Sequence, residues 1–115
     1  MKFFLLAEFP QVKNCWFPLS KYPAAVLWDM DGTLVDTEPY WIAAETELVL
    51  AAGGTWTHED GLSLVGFPLM KSAAYIKERG GVEMSEEAIV EELLTRVAHQ
   101  MRSEGIPWQP GALDV

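Results

Sequence analysis

The stretch Ala24-Ala25-Val26-Leu27-Trp28-Asp29-Met30-Asp31-Gly32-Thr33 decides the fold of this 115-residue sequence. Its first five residues are apolar and lack polar alternation, which predicts a short strand buried on both faces of a parallel sheet. The run stops at Asp29, and Gly32 supplies a turn. Polar residues after such a strand lie at its carboxyl end, where open α/β sheets bind ligands. We therefore predict an α/β fold with a functional loop at residues 29–33.

Two acids in this loop, Asp29 and Asp31, have the pattern of a phosphoryl-transfer site. Carboxylates at positions i and i+2 of an extended segment leave the chain on the same side, and adjacent acids can divide into an ionised nucleophile and a protonated donor. An aspartate nucleophile can form an aspartyl-phosphate. The negative charge of that site calls for Mg²⁺ with oxygen ligands. Gly32 would let backbone amides face the phosphate, and Thr33 would add a hydroxyl.

Other uses of an Asp-x-Asp-Gly sequence are less consistent with the residues around it. A calcium-binding loop would need a closing Glu at its twelfth position, and that position is Tyr40. A plain surface turn stays open as an alternative, although the apolar strand leading straight into the loop favours a site.

Four helices are predicted after the loop, and they begin and end at recognisable signals. Their predicted ranges are Thr37 to Ala52 with Pro39 in the first turn, Thr57 through Val65 with Asp60 in a capping box, Pro68 to Arg79, and Ser85 to Gly105. Thr37 and Ser85 are the predicted caps of the first and fourth helices. Glycine pairs follow the first and third helices. No second parallel strand is predicted downstream, although a buried strand needs neighbours. We therefore expect this strand to belong to a larger sheet whose other strands are not predicted in this sequence.

The composition restricts the classes of partner. Half of the residues are hydrophobic and 22% are charged, which is typical of a globular domain. Eight basic against 17 acidic residues give a net charge of −9, which argues against nucleic acid or an anionic membrane as a partner. The apolar start is too short for a signal peptide, and no run reaches the length of a membrane span. A single cysteine, Cys15, fits a reducing cytoplasm, where we expect the protein.

The sequence from Val26 to Glu38, VLWDMDGTLVDTE, closely resembles motif I of the haloacid dehalogenase-like hydrolases and the turn that follows it. More narrowly, it is similar to the branch with a helical cap inserted just after motif I, which holds phosphoglycolate phosphatase-like and β-phosphoglucomutase-like members. The resemblance implies an α/β Rossmannoid core, represented here by its first strand alone, and an all-α cap. It divides the chain into an N-terminal extension of unclear structure (1–23), the first core strand and motif I loop (24–37), the cap (38–104) and a return linker to the core (105–115).

The resemblance also implies roles for five residues. Asp29 would attack phosphorus and bind Mg²⁺, and Asp31 would protonate the leaving oxygen, activate water and offer its backbone carbonyl to the metal. Met30, Gly32 and Thr33 would shape the loop around the phosphate. The implied protein is a Mg²⁺-dependent phosphohydrolase acting on a small phosphorylated metabolite.

The other three motifs of the family have no counterpart in these residues. They would supply a Ser or Thr, a Lys and further acids, and we expect them beyond Val115. The 115-residue chain is therefore expected to be the N-terminal part of such an enzyme and a very poor catalyst alone.

Several alternatives stay open at this point. A β-phosphoglucomutase-like phosphotransferase is less favoured, because such mutases carry His where this chain has Trp41 and Arg where it has Ser63, ahead of Gly66. A truncated or misannotated non-catalytic product is another possibility. A third is an interaction module that uses an exposed strand edge.

Some further residues could line a substrate pocket. Trp41, Trp56 and Trp108 could do so or could simply pack at helix ends. Lys71 could reach a substrate, although a solvated helix lysine is the commoner case.

Overall fold

The fold consists of a small sheet followed by four helices. A computed structural model describes residues 4–8 and 25–114. Its elements are β1 (Phe4–Glu8), β2 (Ala25–Asp29), α1 (Glu38–Ala51), α2 (His58–Ser63), α3 (Leu69–Gly80), α4 (Glu86–Glu104) and a final 3-10 turn (Ala112–Asp114). All four predicted helices are confirmed, each within two residues of its predicted bounds. Cys15 and the other residues of 9–24 lie outside the described ranges.

The sheet differs from its prediction. Strand β2 pairs antiparallel with β1, in a register that runs from Phe4 opposite Asp29 to Glu8 opposite Ala25. Exposure alternates along β2, and the Leu27 side chain is 66% exposed. The predicted strand after Ala24 is confirmed as β2. Its predicted burial on both faces is wrong for the described residues, and its described neighbour β1 pairs antiparallel rather than parallel. The physical reason is that β1 supplies an antiparallel edge while no described element covers the Leu27 face.

The four helices pack into one unit, called the helical body below. Helix α4 packs against α1 and α3, and α2 packs against α1. The centre is formed by Val49, Ile76, Ile89 and Leu93, which are fully buried. Burial of each such side chain contributes roughly 1.5–3 kcal/mol relative to exposure. Ile89 and Leu93 stand four positions apart on α4, which places both on the face that forms this core.

Glycines at the helix ends let α1 and α3 approach closely. A Cβ added to Gly54 would lie 2.2 Å from the Gly80 carbonyl oxygen, and one added to Gly80 would lie 2.8 Å from Val49 Cγ2. These glycines were predicted only as helix stops. They also serve as the contact surface between two helices, because a side chain at either position would have no space.

The predicted helix caps have mixed outcomes. The capping box at Thr57 is confirmed by reciprocal hydrogen bonds with Asp60, and Ser85 accepts from the Ala88 amide. The prediction that Thr37 caps α1 was wrong, because its side chain makes no capping hydrogen bond. The Thr37 hydroxyl is directed instead toward the loop after β2.

Candidate active site

The loop after β2 is a tight turn built from backbone hydrogen bonds. The Met30 carbonyl accepts from the amides of Thr33, Leu34 and Val35, at 3.3, 3.0 and 3.1 Å. The Gly32 amide donates to the Val35 carbonyl at 2.7 Å, and Gly32 has φ +78°, a left-handed conformation that favours glycine. The turn therefore fixes the backbone on both sides of Asp31.

A side-chain hydrogen bond orients Asp31. The Thr37 hydroxyl donates to Asp31 Oδ1 at 2.7 Å, and Thr37 is 1% exposed. A buried donor of this kind restrains the carboxyl group, because leaving the hydroxyl unpaired would cost free energy. Thr37 is thus a positioning residue for Asp31, a role that its sequence position at a helix start concealed.

The carboxyl group of Asp29, unlike that of Asp31, has a buried oxygen without a hydrogen bond in the described part of the chain. Asp29 Oδ1 is buried and has no hydrogen-bond partner among the described residues. Buried polar atoms without a partner are uncommon and are costly to maintain in a fold. Such an atom is available to a ligand, a cation or a reacting group.

Asp29 and Asp31 line one cavity of about 150 Å³. Thr37 closes it beside the loop, and α1 lines it with Glu38, Trp41, Ile42 and Glu45. The remaining wall comes from residues between Gly61 and Ser72 and from Leu93 of α4. The cavity therefore lies between the loop and the helical body, with both aspartates at the loop side.

Glu45 is a second buried acid in this cavity. It is 5% exposed, and its Oε2 has no hydrogen-bond partner in the described part of the chain. Burial raises the pKa of Glu45 to about 7, a rise that the neighbouring Trp56 indole partly opposes. The indole does not complete a hydrogen bond, because Trp56 Nε1 is also buried without a partner. The Glu45 Oε2 atom is therefore left without a donor among the described residues.

Glu45 was missed by the sequence reasoning, although a signal was present. It stands seven positions after Glu38, so both acids lie on one face of α1. Trp41 and Ile42 fill the same face, and an acid in an otherwise apolar stripe marks a buried polar site.

The lining of the cavity is acidic. Four acids line it, namely Asp29, Asp31, Glu38 and Glu45, and no lysine or arginine of the described residues does. Lys71 lies behind the wall, with Nζ 4.2 Å from the ring centre of Phe67, which itself lines the cavity. The idea that Lys71 reaches a ligand is therefore not favoured by its position.

The predicted site residues divide into two groups. Asp29 and Asp31 meet at the cavity, whereas Met30, Gly32 and Thr33 are not part of its lining. Of the three tryptophans considered from sequence, Trp41 lines the cavity, Trp56 packs in the core, and Trp108 pairs with Val35.

In the described part of the chain, the cavity has few side chains that could bind a divalent cation. No group of three or more His, Cys, Asp or Glu side chains within residues 4–8 and 25–114 is arranged to hold a metal. Mg²⁺ needs fewer protein ligands, since it is commonly held by one or two carboxylates together with water and substrate phosphate. The unpartnered Asp29 oxygen would be available as such a ligand. The residues therefore fit a Mg²⁺ site completed by other groups.

The chain returns to this loop after α4. The Asp36 amide donates to the Pro107 carbonyl and the Gln109 amide donates to the Leu34 carbonyl, both at 2.8 Å. Val35 and Trp108 form an antiparallel bridge between these two hydrogen bonds. The two connections of the helical body are thus joined beside the site.

Most of the chain matches the model of a known protein family. The family model for haloacid dehalogenase-like hydrolases matches residues 26–115, which includes the loop, the helical body and the returning segment. The chain therefore belongs to the haloacid dehalogenase-like hydrolase family. No curated protein matches the chain. Among the helices of the described residues, none is long and apolar enough to span a bilayer.

Proposed function

We propose that the chain carries the nucleophile and the acid/base residue of a Mg²⁺-dependent phosphohydrolase that acts on a small phosphorylated metabolite. The observation that carries this proposal is the buried, unpartnered Oδ1 of Asp29 at a cavity shared with the hydrogen-bonded carboxyl of Asp31. A free carboxylate oxygen beside a positioned second acid is the arrangement that nucleophilic attack followed by acid/base catalysis requires.

The proposed reaction has two balanced steps. In the first, an Asp29 carboxylate oxygen bonds to phosphorus, the ester P–O bond breaks, and Asp31 gives its proton to the leaving alcohol. In the second, Asp31 takes a proton from water, the water oxygen bonds to phosphorus, and the Asp29–phosphorus bond breaks to release inorganic phosphate. Thr37 keeps the Asp31 carboxyl in place through both proton transfers.

Asp29 would hold Mg²⁺ through its carboxylate, and Asp31 through its backbone carbonyl. The ion would offset the negative charge of the phosphate and the aspartates. The loop residues Met30, Gly32 and Thr33 are proposed to shape the backbone around the phosphate.

The helical body is proposed to be the cap, which covers the site and contacts the rest of the substrate. Support comes from the cavity wall, most of which comes from the helices and their connections rather than from the loop. In the same proposal, residues 24–37 are the first part of the core and 105–115 are the return linker, supported by the hydrogen bonds between these segments.

The nucleophile is tested by trapping the first step. The purified 115-residue chain is incubated with Mg²⁺ and labelled acetyl phosphate, whose good leaving group needs little help from an acid. We expect acid-stable, base-labile label on Asp29, located by mass spectrometry, and none in Asp29→Asn. Asp36→Asn is the matched control, because Asp36 is exposed and does not line the cavity. Equal labelling of the wild type and Asp29→Asn, or no labelling of either, would falsify the proposal.

Turnover by these 115 residues is expected to be very slow. The cavity wall contributes four acids and no basic side chain from the described residues, so the phosphate charge is poorly compensated. Sustained Mg²⁺-dependent release of phosphate from simple esters, abolished by Asp29→Asn, would contradict this expectation while supporting the role of Asp29.

A further inference from the structure

Glu45 lines the cavity but takes no part in the proposed reaction. Its side chain is nine-tenths buried, and its Oε2 has no hydrogen-bond partner among the described residues. A Cβ at Gly61 would lie 3.3 Å from this oxygen and 3.1 Å from Ile42. The space around the carboxyl group therefore depends on glycine in α2, a position where glycine is otherwise unfavourable in a helix.

The position of Glu45 separates it from the reacting end of the cavity. Glu38, next to Thr37 and the loop, lies two helical turns before Glu45 on the same face of α1, which is about 10 Å along the helix axis. Trp41 and Ile42 line the cavity between them. A substrate whose phosphate lies at Asp29 would direct its other end toward Glu45.

The size of the cavity limits that other end. Its volume is about 150 Å³, similar to an engineered protein cavity that holds one benzene molecule. Since the phosphate takes up part of this volume, the Glu45 end accommodates only a small group of a few heavy atoms. A small polar group in this space would meet the Glu45 carboxyl directly.

We propose that Glu45 selects the non-phosphate end of the substrate, accepting a hydroxyl group and rejecting a carboxylate. The inference rests on the proposed phosphohydrolase function and adds its substrate class: hydroxylated, non-acidic phosphomonoesters. A hydroxyl group donates the hydrogen bond that Oε2 lacks, whereas a carboxylate has no proton to donate and repels the acids of the cavity.

The groups around Glu45 strengthen this selection at alkaline pH. The acids that share the cavity are Asp29, Asp31 and Glu38. The neighbouring helices contribute lining residues that do not titrate, namely Gly61 of α2, Ser72 of α3 and Leu93 of α4. Since burial raises the pKa of Glu45 to about 7, this group changes its charge in the accessible pH range. Below that pH its carboxyl is neutral and can donate a hydrogen bond to a carboxylate.

Two esters that share the phosphate end test the proposal. These are 2-hydroxyethyl phosphate and 2-phosphoglycolate, which differ by CH₂OH against COO⁻. Their binding to the 115-residue chain with Mg²⁺ is measured by calorimetry at pH 8 and pH 5.5, with inorganic phosphate as a third ligand. We expect the wild type to prefer the hydroxyethyl ester at least about tenfold at pH 8, a difference of about 1.4 kcal/mol, and to lose most of that preference at pH 5.5.

A pair of variants assigns the effect to the residue. Glu45→Gln should lose most of the wild-type preference at pH 8, because the neutral amide donates as well as accepts. Glu47→Gln, at an exposed position of the same helix, should keep the wild-type preference.

The outcomes separate the two proposals. Equal binding of the esters by the wild type at pH 8, or an unchanged preference in Glu45→Gln, overturns the role of Glu45 while binding of inorganic phosphate leaves the phosphohydrolase proposal standing. Failure of all three ligands to bind contradicts the proposed function, and the role of Glu45 is then wrong with it.

Discussion

Replacing Glu45 by Gln should remove a large part of the pH dependence of stability between pH 5 and pH 8. Burial raises the pKa of Glu45 from its ordinary value of 4.5 to about 7 in the folded chain, against partial opposition from Trp56. In that interval the folded state holds a proton that the unfolded state has released. The free energy of unfolding must therefore fall as the pH rises from 4.5 through 7, in contrast to the usual behaviour of paired acids.

The size of the effect follows from the displaced pKa. A shift of this extent corresponds to about 3 kcal/mol at most, since each pH unit is worth about 1.4 kcal/mol. About 2.5 kcal/mol of that is expected between pH 5 and pH 8. Glu45 is only 5% exposed, so solvent screens its charge little. Glutamine has nearly the same shape and no charge, so the variant lacks this pH-dependent contribution to the free energy of unfolding.

The assay is urea unfolding followed by tryptophan fluorescence at four pH values from 5 to 8. The wild type and Glu45→Gln should have similar stability at pH 5, and the variant should become the more stable by about 2.5 kcal/mol at pH 8. Asp60 does not interfere, because hydrogen bonds from Thr57 and the charge of Arg79 lower its pKa below 3.8, and its contribution is lost only as the pH falls further. Glu47→Gln, exposed on the same helix, is the control. Parallel pH profiles for the wild type and Glu45→Gln would refute the reasoning.

Two further substitutions test the packing and the site. Gly54→Ala should cost about 1–3 kcal/mol, and more than Gly61→Ala, because the first Cβ meets the backbone carbonyl of Gly80 whereas the second meets the flexible Ile42 side chain. Thermal unfolding of the two variants gives the order, and the reverse order would contradict the close approach. Thr37→Val should cost about 1 kcal/mol by removing the donor to Asp31. A double-mutant cycle with Asp31→Ala, which removes the acceptor, should show this coupling, and additive losses would mean that the hydrogen bond contributes nothing.

The helices were predictable because their signals are local. Thr57 and Ser85 precede helical residues with the expected spacing, and glycines follow the last turns, so each boundary is encoded within a few residues. The same local logic failed at Thr37, which has the right residue type for a cap. Its hydroxyl bonds to Asp31 instead, across a turn whose geometry the sequence does not specify.

The sheet was less predictable because its pairing is not local. The apolar run that became β2 is compatible with either parallel or antiparallel neighbours, and its partner β1 lies far upstream without a clear period. Leu27 is exposed because no described element packs on that face of β2. The residues of β2 do not indicate whether such an element is present.

The site was predictable in part. Asp29 and Asp31 stand out because they end an apolar strand together, and their sharing of a cavity agrees with that pattern. The burial of Glu45 depends on helix packing and on the missing side chain at Gly61, and neither can be inferred from the loop sequence. The available signal was the position of Glu45 on the same face of α1 as Glu38 and Trp41.

The paired hydrogen bonds between residues 34–36 and 107–109 make the helical body a closed excursion of the chain. Because its entry and exit points are fixed to each other, the separation of these points does not depend on how many residues lie between them. Insertion or replacement of helices between residues 37 and 106 then adds only a slowly growing entropy of loop closure. Changes in the helices should therefore leave the positions of Asp29 and Asp31 unchanged. The proposed cap can then diverge while the proposed reacting groups keep their geometry.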